Sequence, residues 1–276
     1  PSEHELPQLF LLAVGISEFA DKERNLDFAA KDAKEIVVAF EQSPAYSKVN
    51  KMLLTNKEAT LANFEKQLAF LQKAKPGDVV IIYFSTHGVL DEKMDYYLAT
   101  HDMAFANPQE KGISYYKLEE LLSKLSCRNR MIIMDACHSG EVDKDEAALV
   151  TEKKDNPSSV TAKSGSFTVQ PKMGLKNSFA YMHALFDDAS RSTGTHIIGA
   201  ASGYQVALES GEWNNGAFTY ALKAGLSLKA ADLDKDGSVQ VSELQTYLCK
   251  TVPQLTNGEQ TPALRSVNRD NDFRLW

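Results

Sequence analysis

Hydrophobic residues along this chain gather into two kinds of segment. Four short apolar runs, at residues 10–14, 79–84, 131–134 and 197–201, are continuous rather than alternating. That is the pattern of strands buried on both faces of a parallel sheet. Between them, apolar residues recur at helical spacing. Phe28, Ala29, Ile36 and Phe40 form one stripe, with Asp32 on the same face, and Leu61, Phe64, Leu68 and Leu71 form another. Thr60 is placed to cap the second helix, and Pro76-Gly77 ends the connection after it. Residues 48–54 and 96–100 read as further strands, and 114–125 and 216–228 as further helices. Strands alternating with helices predict an α/β fold, a three-layer sandwich with a mainly parallel β-sheet between helices. No internal repeat interrupts it.

One stretch departs from this rhythm. Residues 141–178 are rich in Lys, Ser, Thr and acids, with Pro157 and Pro171 inside. A connection this long reads either as a solvated excursion or as a mobile, regulatory loop. The part from residue 231 onward is expected to complete the same domain, so that 1–276 is one unit.

Composition narrows the function classes. The 276 residues are 43% hydrophobic and 24% charged, enough for one large core in a soluble globular protein. A formal charge of −7 gives no general attraction for nucleic acid or an anionic membrane. No apolar run approaches the ~20 residues that span a bilayer. The start, Pro1-Ser2-Glu3-His4-Glu5, lacks the features of a signal peptide, and the missing Met suits a piece of a longer protein. Cys127, Cys137 and Cys249 are odd in number and widely spaced, which fits a reducing compartment, the cytoplasm.

In an open α/β sheet, ligands bind beyond the carboxyl ends of the strands. After the run 79–84 come Ser85-Thr86-His87-Gly88, and after 131–134 come Asp135-Ala136-Cys137-His138-Ser139-Gly140. If the two strands are neighbours, ~5 Å apart, the imidazole of His87 can serve the thiol of Cys137. Gly88 and Gly140 permit close backbone approach, and the amides of Gly88 and Cys137 can converge on a developing oxyanion. Taken singly, each residue has a plainer reading, a buried small hydrophobe for Cys137 and a structural histidine for His87.

These motifs resemble the two catalytic motifs of metacaspases and related prokaryotic caspase-like peptidases, with the His 50 residues before the Cys. The likeness extends to Leu11-Leu12-Ala13-Val14-Gly15, to residues 25–33, to residues 216–222 and to Gln260-Thr261-Pro262. The resemblance implies a caspase-like fold and a Cys137–His87 dyad, with an oxyanion hole from Gly88 and Cys137. It further implies cysteine endopeptidase activity needing no cofactor for the chemistry, a monomeric state, and fusion to repeat or regulatory domains. His138 does not carry the chemistry in that motif. Thr86 departs from the family pattern, which often has Gly before the catalytic His, and is expected to stiffen that turn.

By the same resemblance, Asp135 stands where metacaspases bind a basic side chain and true caspases carry Gln. Asp32 and Ser85 match further pocket positions. Independently, Asp32 lies on an apolar stripe, so it points inward, and a buried carboxylate needs a partner. A substrate Arg or Lys is one such partner; a resident cation or backbone amides would be another. The expected substrates are proteins or peptides with Arg or Lys before the cleaved bond.

Asp232 to Glu243 fits an EF-hand loop, with ligand positions at Asp232, Asp234, Asp236, Ser238, Gln240 and Glu243 and Gly237 at the turn. Either it binds Ca2+, or it is an Asp/Gly-rich turn of the kind found in caspase-like relatives. The resemblance also implies that Ca2+ can act through acids elsewhere, near the catalytic strands, as in many metacaspases, and Asp102 after the strand at 96–100 is the nearest candidate. No zinc motif or phosphate-cradling loop is present. Self-cleavage in 141–178, which holds Lys144, Lys153, Lys154, Lys163, Lys172 and Lys176, is a further expectation. The competing readings are a catalytically silent signalling module and a Ca2+-binding module.

Overall fold

Segments with no polar face can be stable only between two covering layers, and they build the centre of this protein. The computed structural model describes residues 6–93, 95–136, 138–139, 160–162, 195–201, 207–265 and 271–276. The elements in chain order are β1 Gln8–Gly15, α1 Ala29–Glu41, β2 Lys48–Thr55, α2 Leu61–Leu71, β3 Val79–Ser85, β4 Gly88–Leu90 and β5 Tyr96–Leu98. There follow α3 Pro108–Lys111, β6 Ile113–Ser114, α4 Tyr115–Ser123, β7 Asn129–Asp135, β8 His138–Ser139 and β9 Val160–Ala162. The chain ends with β10 Thr195–Gly199, β11 Leu208–Ser210, β12 Asn215–Gly216, α5 Ala217–Ser227, α6 Val241–Leu255 and β13 Ala263–Arg265.

The main sheet runs β13-β10-β7-β3-β1-β2. Its neighbours pair in parallel except for β13, which is antiparallel to β10. This is the mixed, mainly parallel sheet between helices that the continuous apolar runs predict. Alternate residues of β3 serve opposite cores. Val79, Ile81 and Tyr83 pack with Ile36 and Phe40 of α1, Phe218 and Leu222 of α5, and Leu244 and Leu248 of α6. Val80, Ile82 and Phe84 pack with Phe64 and Leu71 of α2 and Leu118 and Leu122 of α4. Two small sheets, β6-β5-β4-β8 and β12-β11-β9, adjoin it.

Helix ends follow their caps. The Thr60 hydroxyl accepts from the Asn63 amide at the start of α2, and Ser114 does the same for Lys117 at α4. Gly15, at the carboxyl end of β1, lets α1 approach. A Cβ there would lie 2.4 Å from the Ala29 carbonyl oxygen and 2.6 Å from the Ala33 Cβ.

The strand expected at 197–201 begins two residues earlier and ends at Gly199. There Ala200 and Ala201 leave the ladder after the Ala200 amide meets the Met134 carbonyl. The segment 141–178 lies outside the described residues except for β9, which pairs antiparallel with β11. Residues 241–255 form a helix that the sequence analysis did not predict. Its Pro253 is tolerated near the carboxyl end. Among the described residues no helix is long and apolar enough to cross a membrane.

Candidate active site

The pairing of β3 with β7 sets the site. Ser85 lies opposite Asp135 at the carboxyl end of that ladder. Beyond it, Gly88 of β4 lies opposite His138 of β8. One offset of fifty residues therefore holds on both sides of His87. Cys137 itself, with Gly140, lies outside the described residues.

His87 is 1% exposed. Its ring packs on Phe19 and Phe105, with centroids 5.1 and 5.6 Å away. Its Nε2 is 2.8 Å from the Arg24 carbonyl oxygen. A carbonyl can only accept, so Nε2 carries the proton, and in the neutral ring the basic lone pair sits on Nδ1. The Arg24 guanidinium stacks over Phe105 at 5.2 Å and pairs with Asp21 at 3.5 Å, which helps hold that carbonyl in place. Thr86 ties the turn before His87 to the segment after β5. It is buried, and its hydroxyl donates to the Ala99 carbonyl at 2.9 Å, while the Ala99 amide donates to the His87 carbonyl at 2.8 Å.

Asp32, Ser85 and Asp135 are all fully buried. Asp32 accepts from the Asn215 side-chain amide at 2.8 Å and from the Gly216 backbone amide at 3.1 Å. Asp135 accepts from the Thr219 hydroxyl at 2.5 Å. Gly216 is the N-cap of α5 and Thr219 lies in its first turn, so both carboxylates sit at the positive end of that helix, where ionised acids are favoured.

Tyr83 shares the Thr219 hydroxyl with Asp135. Its hydroxyl is 2.6 Å from the Thr219 oxygen. Because Thr219 has one proton and gives it to Asp135, Tyr83 must be the donor in that contact. Ser85 hydrogen-bonds to Tyr83 in turn. Burial, then the charges of Asp135 and Asp32, push the Tyr83 phenol well above its ordinary value, so it remains a donor.

Sequence reasoning passed over Tyr83, Thr219, Asn215, Glu209 and the Arg24 carbonyl. Thr219 left a signal, a polar residue beside Phe218, Ala221 and Leu222 on a buried helix face. Glu209 left none. Its buried carboxylate accepts from the amides of Asp27 and Phe28 at 2.9 and 3.3 Å. It thereby caps α1 from 181 residues away, where the N-cap residue Phe28 makes no side-chain bond. Gln260 ties Leu208 to Ala200, accepting from one and donating to the other at 2.9 and 2.8 Å.

The 232–243 loop brings carboxylate oxygens of Asp232, Asp234 and Asp236 within 4.8 Å of one another. Gly237 has φ +88°, and the buried Oδ1 of Asp232 accepts no hydrogen bond among the described residues. These features fit a hard cation. Glu243 is turned elsewhere, accepting from the amides of Leu233, Asp234 and Gln240. Ser238 and Gln240 donate backbone amides to Asp236 and Glu243. Val239 pairs with the chain end, through Trp276 at 3.0 Å and Leu275 at 2.8 Å. Asp102 is in an ion pair with Lys111 at 2.8 Å. Burial alone would raise its carboxyl, but the Lys111 ammonium holds it below the usual range.

No curated protein matches this sequence. The structure is similar to the crystal structure of a protein from Geobacter sulfurreducens, with TM-score 0.60 and 18% identity, covering 94% of this chain and 92% of that one. At that identity the likeness shows a shared fold. The sequence profile of the caspase domain, which defines a family of cysteine peptidases, matches residues 9–274. The chain therefore belongs to the caspase-domain family.

Proposed function

We propose that this protein is a cysteine endopeptidase that cleaves after Arg or Lys, with Cys137 as nucleophile and His87 as base. The observation that carries the reading is the fifty-residue register on both sides of His87, at Ser85–Asp135 and Gly88–His138. It supports the reading because Cys137 follows His87 in the sequence by that same offset. In this reading Nδ1 of His87 takes the thiol proton while Nε2 stays on the Arg24 carbonyl. The thiolate attacks the substrate carbonyl, and the amides of Gly88 and Cys137 receive the oxyanion. His87 then returns the proton to the leaving amine, leaving an acyl-enzyme. A water molecule gives its proton to His87 and attacks the acyl carbon, and the proton passes to the departing thiolate.

Support for basic specificity comes from the burial of two carboxylates, Asp32 and Asp135, beside the first turn of α5. A guanidinium would complement both charges. Kinetics on peptides differing only in the residue before the scissile bond test this. Hydrolysis after Arg and Lys, abolished by Cys137→Ala and His87→Ala, is expected; a preference for Asp would retire Asp32 and Asp135 as pocket residues. The lysines of 141–178 lie outside the described residues, and self-processing there is tested by comparing new termini with those of Cys137→Ala.

Modulation by Ca2+ at the 232–243 loop belongs to the same reading, supported by the orphaned Asp232 oxygen. Glu243 would have to release the Leu233 and Asp234 amides to serve as a bidentate ligand. Calorimetric titration should show one site lost in Asp232→Asn. A site that survives would lie elsewhere.

A further inference from the structure

Two contacts orient the His87 ring from one loop, the Phe19 ring at 5.1 Å and the Arg24 carbonyl at 2.8 Å. The loop leaves β1 where the Ile16 amide donates to the carbonyl of Ser85, at the end of β3. It closes where the Leu26 amide donates to the Ser17 carbonyl at 2.9 Å. Both residues that touch the imidazole lie between those closures.

The start of the loop is held from outside. The Asn56 side chain accepts from the Ser17 and Glu18 amides at 2.9 and 3.2 Å, and the Ala20 amide donates to the His101 carbonyl at 2.8 Å. The end that carries Arg24 is held within the loop. Lys22–Arg24 make one 3-10 turn, in which the Arg24 amide donates to the Asp21 carbonyl at 3.0 Å and the Asn25 amide to the Lys22 carbonyl at 3.3 Å. Asn25 ties the two ends together, because its Oδ1 accepts from the Phe19 amide at 2.8 Å. The Arg24 carbonyl and the Asn25 amide belong to one planar peptide unit, so anchoring Asn25 limits how far that carbonyl can turn. One side chain thus joins the residue whose ring packs on His87 to the peptide that accepts from its Nε2.

We infer that Asn25 is a positioning residue for His87, locking the Phe19 ring and the Arg24 carbonyl into one frame and so fixing which imidazole nitrogen carries the proton. The inference rests on His87 acting as the base of the proposed peptidase. Without the Asn25 oxygen the Arg24 peptide can turn, while the His87 backbone stays in place through the Ala99 amide, which donates to its carbonyl at 2.8 Å. Nε2 then loses its fixed acceptor. A neutral ring with its proton on Nδ1 has no lone pair there to take another from a thiol. Asn25 is exposed, so replacing it opens no cavity in the core and the fold tolerates the change.

The test compares Asn25→Leu, which keeps the shape but lacks the acceptor, with Asn25→Asp, which keeps an acceptor oxygen. Two-bond proton–nitrogen NMR spectra of the imidazoles, recorded at mildly alkaline pH in a Cys137→Ala background, read the His87 tautomer directly. A His87→Ala sample identifies its signals. The parent and Asn25→Asp should carry the proton on Nε2 alone, and Asn25→Leu should show a mixture of both tautomers. With Cys137 present, Asn25→Leu should lower kcat on an Arg peptide about tenfold, the order expected for a misplaced base. KM should change little, and Asn25→Asp should stay close to wild type. Asn25→Leu that keeps the Nε2 tautomer overturns the inference, as does Asn25→Asp that loses it just as fully. Mixed tautomers with unchanged kcat reject His87 as the base while upholding the positioning of its ring. If wild type cleaves no peptide, the peptidase reading falls, and the spectra still uphold or overturn that positioning.

Discussion

Thr219→Val isolates the hydroxyl that links Tyr83 to Asp135. The substitution keeps the shape of the side chain and replaces one oxygen with a methyl. In the native protein that oxygen receives the Tyr83 proton at 2.6 Å and donates to Asp135 at 2.5 Å. Tyr83, Asp135 and Thr219 are all fully buried, so water cannot take over either bond without opening the core. A hydrogen bond to a charged group contributes ~1.5–3 kcal/mol and a neutral one ~0.5–1.5 kcal/mol, which places the expected loss at ~2–4.5 kcal/mol. Equilibrium urea unfolding in a Cys137→Ala background, which prevents self-digestion, measures it. Thr219→Ser is the control. It keeps both bonds, so it should lose less than half as much. A Val variant within about 0.5 kcal/mol of the parent, the scatter of ordinary surface changes, would refute the bridge. So would a Ser variant as damaging as Val.

Other expectations follow from single observations. Gly15→Ala should cost at least ~1–3 kcal/mol by overpacking, because the added Cβ meets the Ala29 carbonyl and Ala33 of α1; wild-type stability in a thermal melt would contradict that close approach. Glu35 is lowered from 4.5 to about 2. The stability it contributes is therefore present above pH ~4.5 and lost as pH falls toward ~2, so wild type and Glu35→Gln should converge in urea titrations over that window. Burial pushes the Cys127 thiol up to about 11 and raises that of Cys249. Iodoacetamide at neutral pH should then give one adduct, absent from Cys137→Ala, and rapid labelling of Cys127 would be inconsistent with its burial. Leu275→Ala should destabilise by ~2–5 kcal/mol, since Leu275 is fully buried in the core shared by α1 and α6.

The central layer and the candidate site at its carboxyl edge were legible in the sequence because their signals are local. Runs such as Val79–Ser85 are apolar at every position, and only a strand covered on both faces tolerates that. Chemistry-bearing residues follow those runs directly, so His87, Ser85 and Asp135 could be placed at strand ends before any coordinates. Asp32 betrayed its burial by sitting on an apolar helical stripe. Even the 232–243 loop announced itself through spacing alone.

What the tertiary structure decided is which distant groups satisfy those residues. The carbonyl of Arg24 sets the tautomer of His87 across 63 positions. Glu209 caps α1 from 181 residues away, and Asn215 reaches Asp32 across 183. No periodicity encodes such partners, since a hydrogen bond needs a donor and an acceptor brought together in space, at any separation along the chain. Likewise Val239 completes its pairing with the chain end rather than with a second loop of its own kind. Local pattern thus determined where the reactive groups stand in the fold. Long-range packing determined their protonation, orientation and charge balance, because those depend on neighbours that only the folded chain brings together.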